Sequence, residues 1–296
     1  MAAYEELSLL EDNAYEAGID WHGPPAVERV SVGLPSGRAL SGLRWGEGEP
    51  DFVLLHGGAQ NAHTWDTVAL ALDRPLLALD LPGHGHSDWR PDHDYRPQAA
   101  AEEVAVAVRA LAPAAAMVVG MSLGGLTALC LAASHPELVR RLVVVDVTPG
   151  TDGVKAEPIV AFVTGPERFA SFEEILDRTV AFNPTRSLAS LKRGVLHNAR
   201  EEPDGGWVWR YDPVRSWSGD SGGPDFAPLW EAVDAVQVPL LLVRGGMSTV
   251  VGDDDVAELI RRRPEAEVVV VEGAGHSVQG DRPLELARLL DAFAAK

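Results

Sequence analysis

The chain has 296 residues, 46% of them hydrophobic and 23% charged, proportions that are ordinary for a globular protein with a substantial core. Its 44 acidic and 25 basic residues give a formal charge of −19, which argues against nucleic acid and anionic membrane surfaces as partners. An acidic surface also repels anionic substrates mildly, although local basic groups can override this. The single cysteine, Cys130, excludes an internal disulfide and a multi-cysteine zinc site. Because the first residues are polar and acidic, we expect no signal peptide and a cytoplasmic location.

Short apolar strands alternate with helical patterns along most of the chain, after an acidic extension over residues 1–24 that has some helical pattern. The sequence predicts strands at Glu28–Leu34, Arg38–Trp45, Asp51–His56, Pro75–Leu81, Ala116–Val119, Leu142–Val147, Pro239–Arg244 and Glu267–Glu272. It predicts helices at Trp65–Leu72, Pro97–Leu111, Leu126–Ala133, Asp254–Arg262 and Pro283–Ala294. This alternation indicates a mostly parallel sheet with helices on both faces.

The alternation is interrupted between residues 150 and 230. This stretch has helical patterns at Ser171–Phe182 and Ser187–Asn198, a Trp207-Val208-Trp209 run, and many prolines and glycines. Eighty residues are too many for a plain loop. We therefore expect a core domain from residues 1–148 and 231–296, and a cap domain from residues 149–230 that forms a lid over the carboxyl end of the sheet.

The sequence Gly120-Met121-Ser122-Leu123-Gly124 lies between an apolar strand and a helical pattern. A serine on a sharp strand-to-helix turn needs small neighbours, because its backbone is strained and the chain passes close to itself. The turn exposes the hydroxyl, and the start of the helix directs free N–H groups to the same place. Ser122 is therefore predicted to be a nucleophile.

A nucleophilic serine needs a base, and the base needs an orienting acid. His276 lies among small residues on a loop after the last predicted strand, which favours it as the base. The acid has two candidates: Asp146 at the end of a buried strand, and the Asp253–Asp255 cluster after a later strand. Acidic residues at the start of a helix commonly cap its N-terminus, so Asp146 is preferred and Asp254 is the fallback.

The oxyanion of the transition state should be held by backbone N–H groups. Leu123 follows the nucleophile and Gly58 follows an earlier strand, so these two residues are predicted to be the donors. His56 is interpreted as a brace for that loop. A competing H-x-H-x-D pattern at His84, His86 and Asp88 is similar to zinc enzymes of the metallo-β-lactamase type, but Trp89 stands where that family expects another histidine. We therefore predict no metal and no cofactor.

Together these motifs resemble the α/β-hydrolase superfamily across nearly the whole chain. The matching segments are His56-Gly57-Gly58, residues 80–88, the Gly120–Gly124 turn and Gly273-Ala274-Gly275-His276. The resemblance implies an eight-stranded, mostly parallel sheet, a helical cap inserted after the sixth strand, and a catalytic triad in the order Ser, Asp, His.

Many members of this superfamily place the acid after the penultimate strand. The corresponding turn here, Gly245-Gly246-Met247-Ser248-Thr249, has no aspartate. It is similar to that of the YbfF-type acyl esterases, which carry the acid one strand after the elbow in a D-[IV]-x-P motif. Asp146-Val147-Thr148-Pro149 matches that motif, so the resemblance also favours Asp146.

These observations predict a serine hydrolase that cleaves a carboxylic ester, thioester or lactone of a small-molecule acyl substrate. The alternative is a lyase, carbon–carbon bond hydrolase or perhydrolase that uses the same triad, since the fold does not determine the chemistry. A non-catalytic receptor on the same fold is a further alternative. The sequence leaves a homodimer open. Candidate pocket residues are His63, Trp65, Phe162, Phe182 and Trp209.

Overall fold

The computed structural model describes residues 4–151, 153–183, 186–213 and 225–296. In that part of the chain the strands are β1 (Val27–Gly33), β2 (Ala39–Trp45), β3 (Phe52–Leu55), β4 (Leu76–Leu79), β5 (Met117–Met121), β6 (Leu142–Val145), β7 (Arg168–Phe169), β8 (Ala199–Glu201), β9 (Trp207–Trp209), β10 (Leu240–Gly245) and β11 (Glu267–Val271). The helices are α1 (Leu10–Ala17), α2 (Asp66–Leu72), α3 (Pro97–Leu111), α4 (Leu123–Ser134), α5 (Gly153–Val163), α6 (Phe172–Phe182), α7 (Leu188–Asn198), α8 (Trp230–Ala235), α9 (Asp253–Arg262), α10 (Val278–Asp281) and α11 (Pro283–Ala294).

The main sheet has eight strands in the order β1-β2-β4-β3-β5-β6-β10-β11. The β1–β2 and β2–β4 pairs are antiparallel, and the five pairs from β4 to β11 are parallel. The predicted eight-stranded, mostly parallel sheet is therefore confirmed. Parallel strands end at the same edge of a sheet, so the segments that follow β5, β6 and β11 meet at one edge.

Alternate residues of each strand point to opposite faces of the sheet, and helices cover both faces, so both are buried. In β5, Val118 belongs to one hydrophobic cluster, with residues of α3, α4, α8 and α9. Met117, Val119 and Met121 belong to the other, with residues of α1, α2 and α11. No helix in the described ranges is long and apolar enough to cross a membrane.

The N-terminal extension is part of the core. A 3-10 turn at Glu6–Leu9 leads into α1, where Leu10 and Ala14 are buried against the α2 side of the sheet. The helix ends at Gly18, whose φ of 71° gives the left-handed cap that glycine adopts without strain. The sequence indicated only a helical pattern here, because the apolar stripe of α1 is short and its neighbours are acidic.

The insertion between β6 and α8 follows the sixth strand, as expected, but it is not purely helical. Besides α5, α6 and α7 it contains a three-stranded antiparallel sheet in the order β7-β9-β8. The Trp207-Val208-Trp209 run is its central strand, since Trp207 and Trp209 both turn into a third hydrophobic cluster with Phe169, Phe172 and Ile175. The helix α5 was not predicted, because Pro158 stands inside it. We call this segment, residues 149–226, the insertion.

Candidate active site

Ser122 stands on a sharp turn between β5 and α4. Its backbone angles are φ 51° and ψ −120°, a strained conformation for a residue other than glycine. A Cβ on Gly120 would lie 2.2 Å from the carbonyl oxygen of Gly124, and a Cβ on Gly124 would lie 2.3 Å from that of Leu55. Glycine is required at both positions, because strand and helix approach each other directly behind the serine.

His276 lies on the loop between β11 and α10 and contacts both other members of the predicted triad. Its Nε2 is 3.1 Å from Oγ of Ser122, and its Nδ1 is 2.8 Å from Oδ2 of Asp146. An ionised carboxylate can only accept, so we assign the proton to Nδ1. The Ser122 hydroxyl then donates to Nε2. The structure therefore places the three predicted residues in one hydrogen-bonded chain.

Asp146 directly follows β6 and is fully buried. Its φ is 51°, and its backbone N–H donates to the carbonyl of Val243 at 2.7 Å. The backbone N–H of Gly245 donates to Oδ1 at 2.8 Å, and the hydroxyl of Ser248 donates to Oδ2. With His276 these are three donors from two loops, and together they fix the carboxylate plane.

The alternative acid, Asp254, is exposed at the start of α9. In its neighbourhood Asp255 accepts a hydrogen bond from the N–H of Gly252 at 2.6 Å, the contact of a helix cap, and pairs with Lys155 at 2.7 Å. Asp253 pairs with Arg244. The cluster therefore caps and anchors α9, and Asp146 is the carboxylate beside His276.

Gly58 and Leu123 line a small pocket together with Ser122. Neither backbone N–H has an acceptor in the described ranges. The chain passes close to the serine here, since a Cβ on Gly57 would lie 3.2 Å from Cβ of Ser122. Free backbone N–H groups of this kind, one of them at the start of α4, are the donors that an oxyanion requires.

Two buried histidines hold the loop that carries Gly58. His56 Nδ1–H donates to the carbonyl of Gly57 at 2.7 Å, and its Nε2 accepts from the N–H of Leu81 at 2.9 Å. His84 Nε2 accepts from the N–H of Ala59 at 3.1 Å. Burial lowers the pKa of His56 to about 3 and also lowers the pKa of His84, so both remain neutral acceptors. His56 is the brace that the sequence indicated.

The H-x-H-x-D pattern does not form a metal cluster in the described ranges. His84 accepts the hydrogen bond from Ala59 in the loop that carries Gly58. The carboxylate of Asp88 accepts from the N–H of Ala39 at 2.7 Å. The carboxylate of Asp80 accepts from the N–H of His86 at 3.0 Å and from Arg29 at 2.8 Å. These residues therefore tie the loop after β4 to the rest of the core.

A cavity of about 1030 Å³ opens from Ser122 and His276 towards the insertion. Of the candidate pocket residues, His63, Phe162, Phe182 and Trp209 line it. Phe162 stacks on Phe182 with 4.4 Å between ring centroids and lies 6.0 Å from Trp209. The insertion therefore supplies an aromatic wall.

Trp65 does not line this cavity. It is 0% exposed and belongs to the hydrophobic cluster on the α2 side of the sheet. The 3-10 turn at Ala62–Trp65 rotates the indole inwards, whereas His63, two residues earlier, faces the cavity. The sequence placed Trp65 near the oxyanion loop correctly but could not give its direction.

A second pocket, of about 30 Å³, lies beside the nucleophile. Its lining is almost wholly apolar: Gly58, Ser122, Leu123, Leu126, Val147, Thr151, Ala156, Ile159, Val160, Phe226 and Val250. About one water-sized group fits in that volume.

Charged and imidazole side chains form a buried network at the edge of the main cavity. His63 Nδ1 is 2.9 Å from the carboxylate of Asp66, and its Nε2 is 3.3 Å from that of Glu6. Burial by itself lowers the pKa of His63, but Asp66 and Glu6 raise it to about 9. His197 stacks on His63 with ring centroids 3.8 Å apart. Burial and the nearby His63 hold the pKa of His197 well below its usual value.

The donor atoms of His63, Asp66 and His197 lie within 4.8 Å of one another, close enough for a metal site. The two rings, however, are stacked face to face with an angle of 12° between their planes. An imidazole nitrogen directs its lone pair in the plane of the ring, so stacked rings do not converge on one ion. The arrangement suits a protonated His63 paired with Asp66 better than a metal centre.

Sequence reasoning missed several polar residues of the site. The sequence showed Ser248 only as part of the turn after the penultimate strand, and gave no sign that its hydroxyl donates to Asp146. The side chain of Gln60 accepts from the N–H of Gly57 at 3.1 Å, and Gln279 donates to Thr64 at 3.2 Å. Single glutamines and serines in loops carry no spacing signal, so only the structure identifies them.

The chain matches the profile of the alpha/beta hydrolase fold over residues 50–283. The chain belongs to this family, which confirms the enzyme class and the fold that its motifs predicted.

Curated relatives extend the likeness to nearly the full length. Esterase Rv0045c of Mycobacterium tuberculosis is 50% identical over 298 residues, which cover 98% of this chain and 96% of that protein. A solved structure of that esterase superposes with a TM-score of 0.89 and 48% identity, over all of both chains. Pimeloyl-[acyl-carrier protein] methyl ester esterase of Aeromonas hydrophila is 30% identical over 86% of this chain and 99% of its own length. The structure of an E-2-(acetamidomethylene)succinate hydrolase gives a TM-score of 0.79 and 25% identity, over 92% of this chain and 100% of its own.

Proposed function

We propose that this protein is a serine esterase that cleaves a carboxylic ester, thioester or lactone through an acyl-enzyme. The observation that carries the proposal is the hydrogen-bonded chain from Ser122 through His276 to Asp146, with distances of 3.1 and 2.8 Å. The M. tuberculosis relative is named as an esterase, which supports the same reaction class.

In the first step the hydroxyl of Ser122 attacks the carbonyl carbon while His276 Nε2 takes its proton. The N–H groups of Gly58 and Leu123 hold the oxyanion, and each such donor lowers the barrier by about 3 kcal/mol. His276 then returns the proton to the leaving alcohol, thiol or ring oxygen.

Asp146 keeps the His276 proton on Nδ1 and stabilises the imidazolium that forms during attack. Its three donors hold the carboxylate in one orientation, so the imidazole is presented to Ser122 in a fixed direction. In the second step His276 activates a water, which releases the acid and restores the serine.

The two pockets suggest how the substrate lies. We place a small apolar group of the substrate in the 30 Å³ pocket beside Ser122, and the larger remainder in the 1030 Å³ cavity under the insertion. The insertion would then act as the cap, because its aromatic wall excludes water from one side of the reaction.

Labelling with a fluorophosphonate and burst kinetics with p-nitrophenyl acetate test the proposal. The parent should be labelled on Ser122 and release one equivalent of p-nitrophenol before steady turnover. Ser122→Ala and His276→Ala should lose nearly all turnover, on the order of 10⁶-fold. Ser36→Ala, which changes an exposed serine on a turn, should behave as the parent.

Failure to turn over any ester, thioester or lactone would contradict the proposal. Activity of the same protein on a diketone or enol substrate, lost in Ser122→Ala, would instead indicate a lyase or carbon–carbon bond hydrolase with the same triad.

A further inference from the structure

The lining of the main cavity has a higher proportion of basic to acidic residues than the chain as a whole. It contains four arginines and three carboxylates, whereas the whole chain has 25 basic and 44 acidic residues. These charged lining residues are Arg186, Arg193, Arg282, Arg288, Glu16, Asp281 and Glu285. His63 also lines the cavity, but its charge is paired with Asp66 and Glu6 outside the lining. Because a cleft focuses the field of its own charges, this cavity can attract an anion that the outer surface repels.

Arg186 is the arginine of this set that combines a buried, unpartnered guanidinium nitrogen with no hydrogen bond to a carboxylate in the described ranges. Its Nη2 donates to the hydroxyl of Ser190 at 2.9 Å. Its Nε is buried and has no hydrogen-bond acceptor in the described ranges. The nearest carboxylate oxygen, Oδ1 of Asp281, is 3.9 Å from Nε, too far for a hydrogen bond. Burial lowers the pKa of Arg186, so its cationic form gains from any anion that reaches it.

The neighbouring charges are engaged elsewhere. Arg193 donates to Glu16 and, at 2.7 Å, to Asn13. Oδ2 of Asp281 accepts the N–H of Gly275 at 2.8 Å. Glu16 and Asp281 therefore face Arg186 from either side, but both carboxylates already have donors.

Arg282 and Arg288 add positive charge at the exposed side of the cavity. Arg282 donates to the backbone carbonyls of Glu272 at 3.3 Å and Asp281 at 3.4 Å. Both side chains are exposed. They can therefore raise the potential at Arg186 without being locked into an ion pair.

Arg186 is close enough to the reacting centre for one substrate to contact both. Its Cζ lies 2.8 Å from the position that a Cβ on Gly280 would take. Gly280 follows His276 by four residues, so even a fully extended chain separates them by at most about 14 Å. Ser122, His276 and Arg186 all line the same cavity.

We propose that Arg186, supported by Arg282, forms a subsite for a carboxylate group carried by the ester substrate at a distance from the scissile bond. The inference rests on the proposed esterase function and adds a substrate class: half-esters of dicarboxylic acids, or esters of hydroxy acids. The excess of positive charge in the lining is small, four arginines against three carboxylates with His63 paired to Asp66, so a single carboxylate is enough to neutralise it.

Two matched substrate pairs test the subsite and show which side of the ester carries the charge. The first pair is mono-4-nitrophenyl glutarate against 4-nitrophenyl hexanoate, with the carboxylate on the acyl side. The second is 4-(butyryloxy)benzoate against its methyl ester, with the carboxylate on the alcohol side. For one pair, the ratio of kcat/KM for the anionic to the neutral ester should fall about tenfold to a hundredfold in Arg186→Gln.

Two further variants serve as controls. Arg200 is an exposed residue of β8 that pairs with Glu202 at 3.0 Å and lies outside the cavity. Arg200→Gln removes the same charge as Arg186→Gln, but it should keep the parent's ratio of kcat/KM for the anionic to the neutral ester. Arg186→Lys should recover part of the ratio, because the charge returns without the fork of donors. An unchanged ratio in Arg186→Gln for both pairs would overturn the proposal and leave Arg186 as a tie between the insertion and α10.

A binding measurement separates failure of the subsite from failure of the esterase function. Calorimetric titration of 4-(butyryloxy)benzoate and mono-4-nitrophenyl glutarate into Ser122→Ala needs no turnover. At least one should bind, and Arg186→Gln in the same background should weaken that binding about tenfold or more. Equal affinity in the two backgrounds would overturn the subsite even if the parent hydrolyses esters. Weakened binding with no hydrolysis by the parent would sink the esterase function alone.

Discussion

At the scale of single residues, two members of the proposed triad hold a backbone conformation that is uncommon outside glycine. Ser122 and Asp146 both have φ of 51°. Each stands directly after a parallel strand, where the chain must leave the sheet sharply to expose a side chain at its edge. Such strain of about 1–3 kcal/mol persists only where the surroundings enforce it. Here the N–H groups of Ser122 and Asp146 are tied to the carbonyls of Val145 and Val243.

The choice between Asp146 and Asp254 is directly testable. Asp146→Asn should lower kcat by about 10⁴-fold, because the amide favours the wrong tautomer of His276. Asp254→Asn changes an exposed residue at the start of α9 and should keep parental kcat. Steady-state kinetics with one ester suffice, and a loss of activity confined to Asp254→Asn would show that the acid is misassigned.

Ser248 is predicted to position the acid rather than to react. Ser248→Ala removes one of three donors to the Asp146 carboxylate, so kcat should fall about three- to tenfold with KM nearly constant. A change in KM alone would argue that Ser248 acts on substrate binding instead.

At the scale of elements, the N-terminal helix α1 closes the core beside α2. Leu10 is 2% exposed, whereas Tyr15 on the same helix is 66% exposed. Leu10→Ala should therefore lower the free energy of unfolding by about 2–5 kcal/mol through lost burial and a cavity. Tyr15→Ala should change it by less than about 1 kcal/mol. Denaturant unfolding followed by tryptophan fluorescence measures both, and equal effects would mean that α1 does not pack as described.

At the scale of the whole molecule, an ion network joins the N-terminal extension, the core and the insertion. Glu6 pairs with Arg29 at 2.7 Å, His63 bridges Glu6 and Asp66, and His197 of α7 stacks on His63. The main cavity lies against this junction. The network therefore couples the position of the insertion to the charge of one imidazole.

The stability of the fold should depend on that charge. The pKa of His63 is about 9, above the value near 6.5 of an unfolded histidine. A group with a raised pKa stabilises the fold fully below about pH 6.5, and this contribution is lost as pH rises to about 9. The free energy of unfolding of the parent relative to His63→Gln should thus fall over that range, by up to about 3 kcal/mol. Urea unfolding from pH 6 to 9.5 measures it, and parallel pH curves would refute the assignment.

The sequence by itself predicted the alternation of strands and helices in the core, and it singled out the turn at Ser122 and the late histidine His276. These features follow from local physics: periodic burial, glycines that permit close approach, and a strained turn. It also favoured Asp146, because Asp253–Asp255 open a predicted helix that they can cap, and because Asp146-Val147-Thr148-Pro149 resembles the motif of the YbfF-type esterases. The small sheet of the insertion was not predicted, because β7 and β8 have only two or three residues and gain their stability from pairing with β9.

Only the tertiary structure decided which side chains meet. Trp65 and His63 are two residues apart, yet one is buried in the core and the other faces the cavity. The contacts of Ser248, Gln279 and Arg186 likewise form only where separate segments of the chain converge. The physical reason is that strands and helices produce a periodic spacing of apolar residues, which can be read from neighbouring positions. The direction of a loop side chain depends instead on contacts with residues that are distant in the sequence.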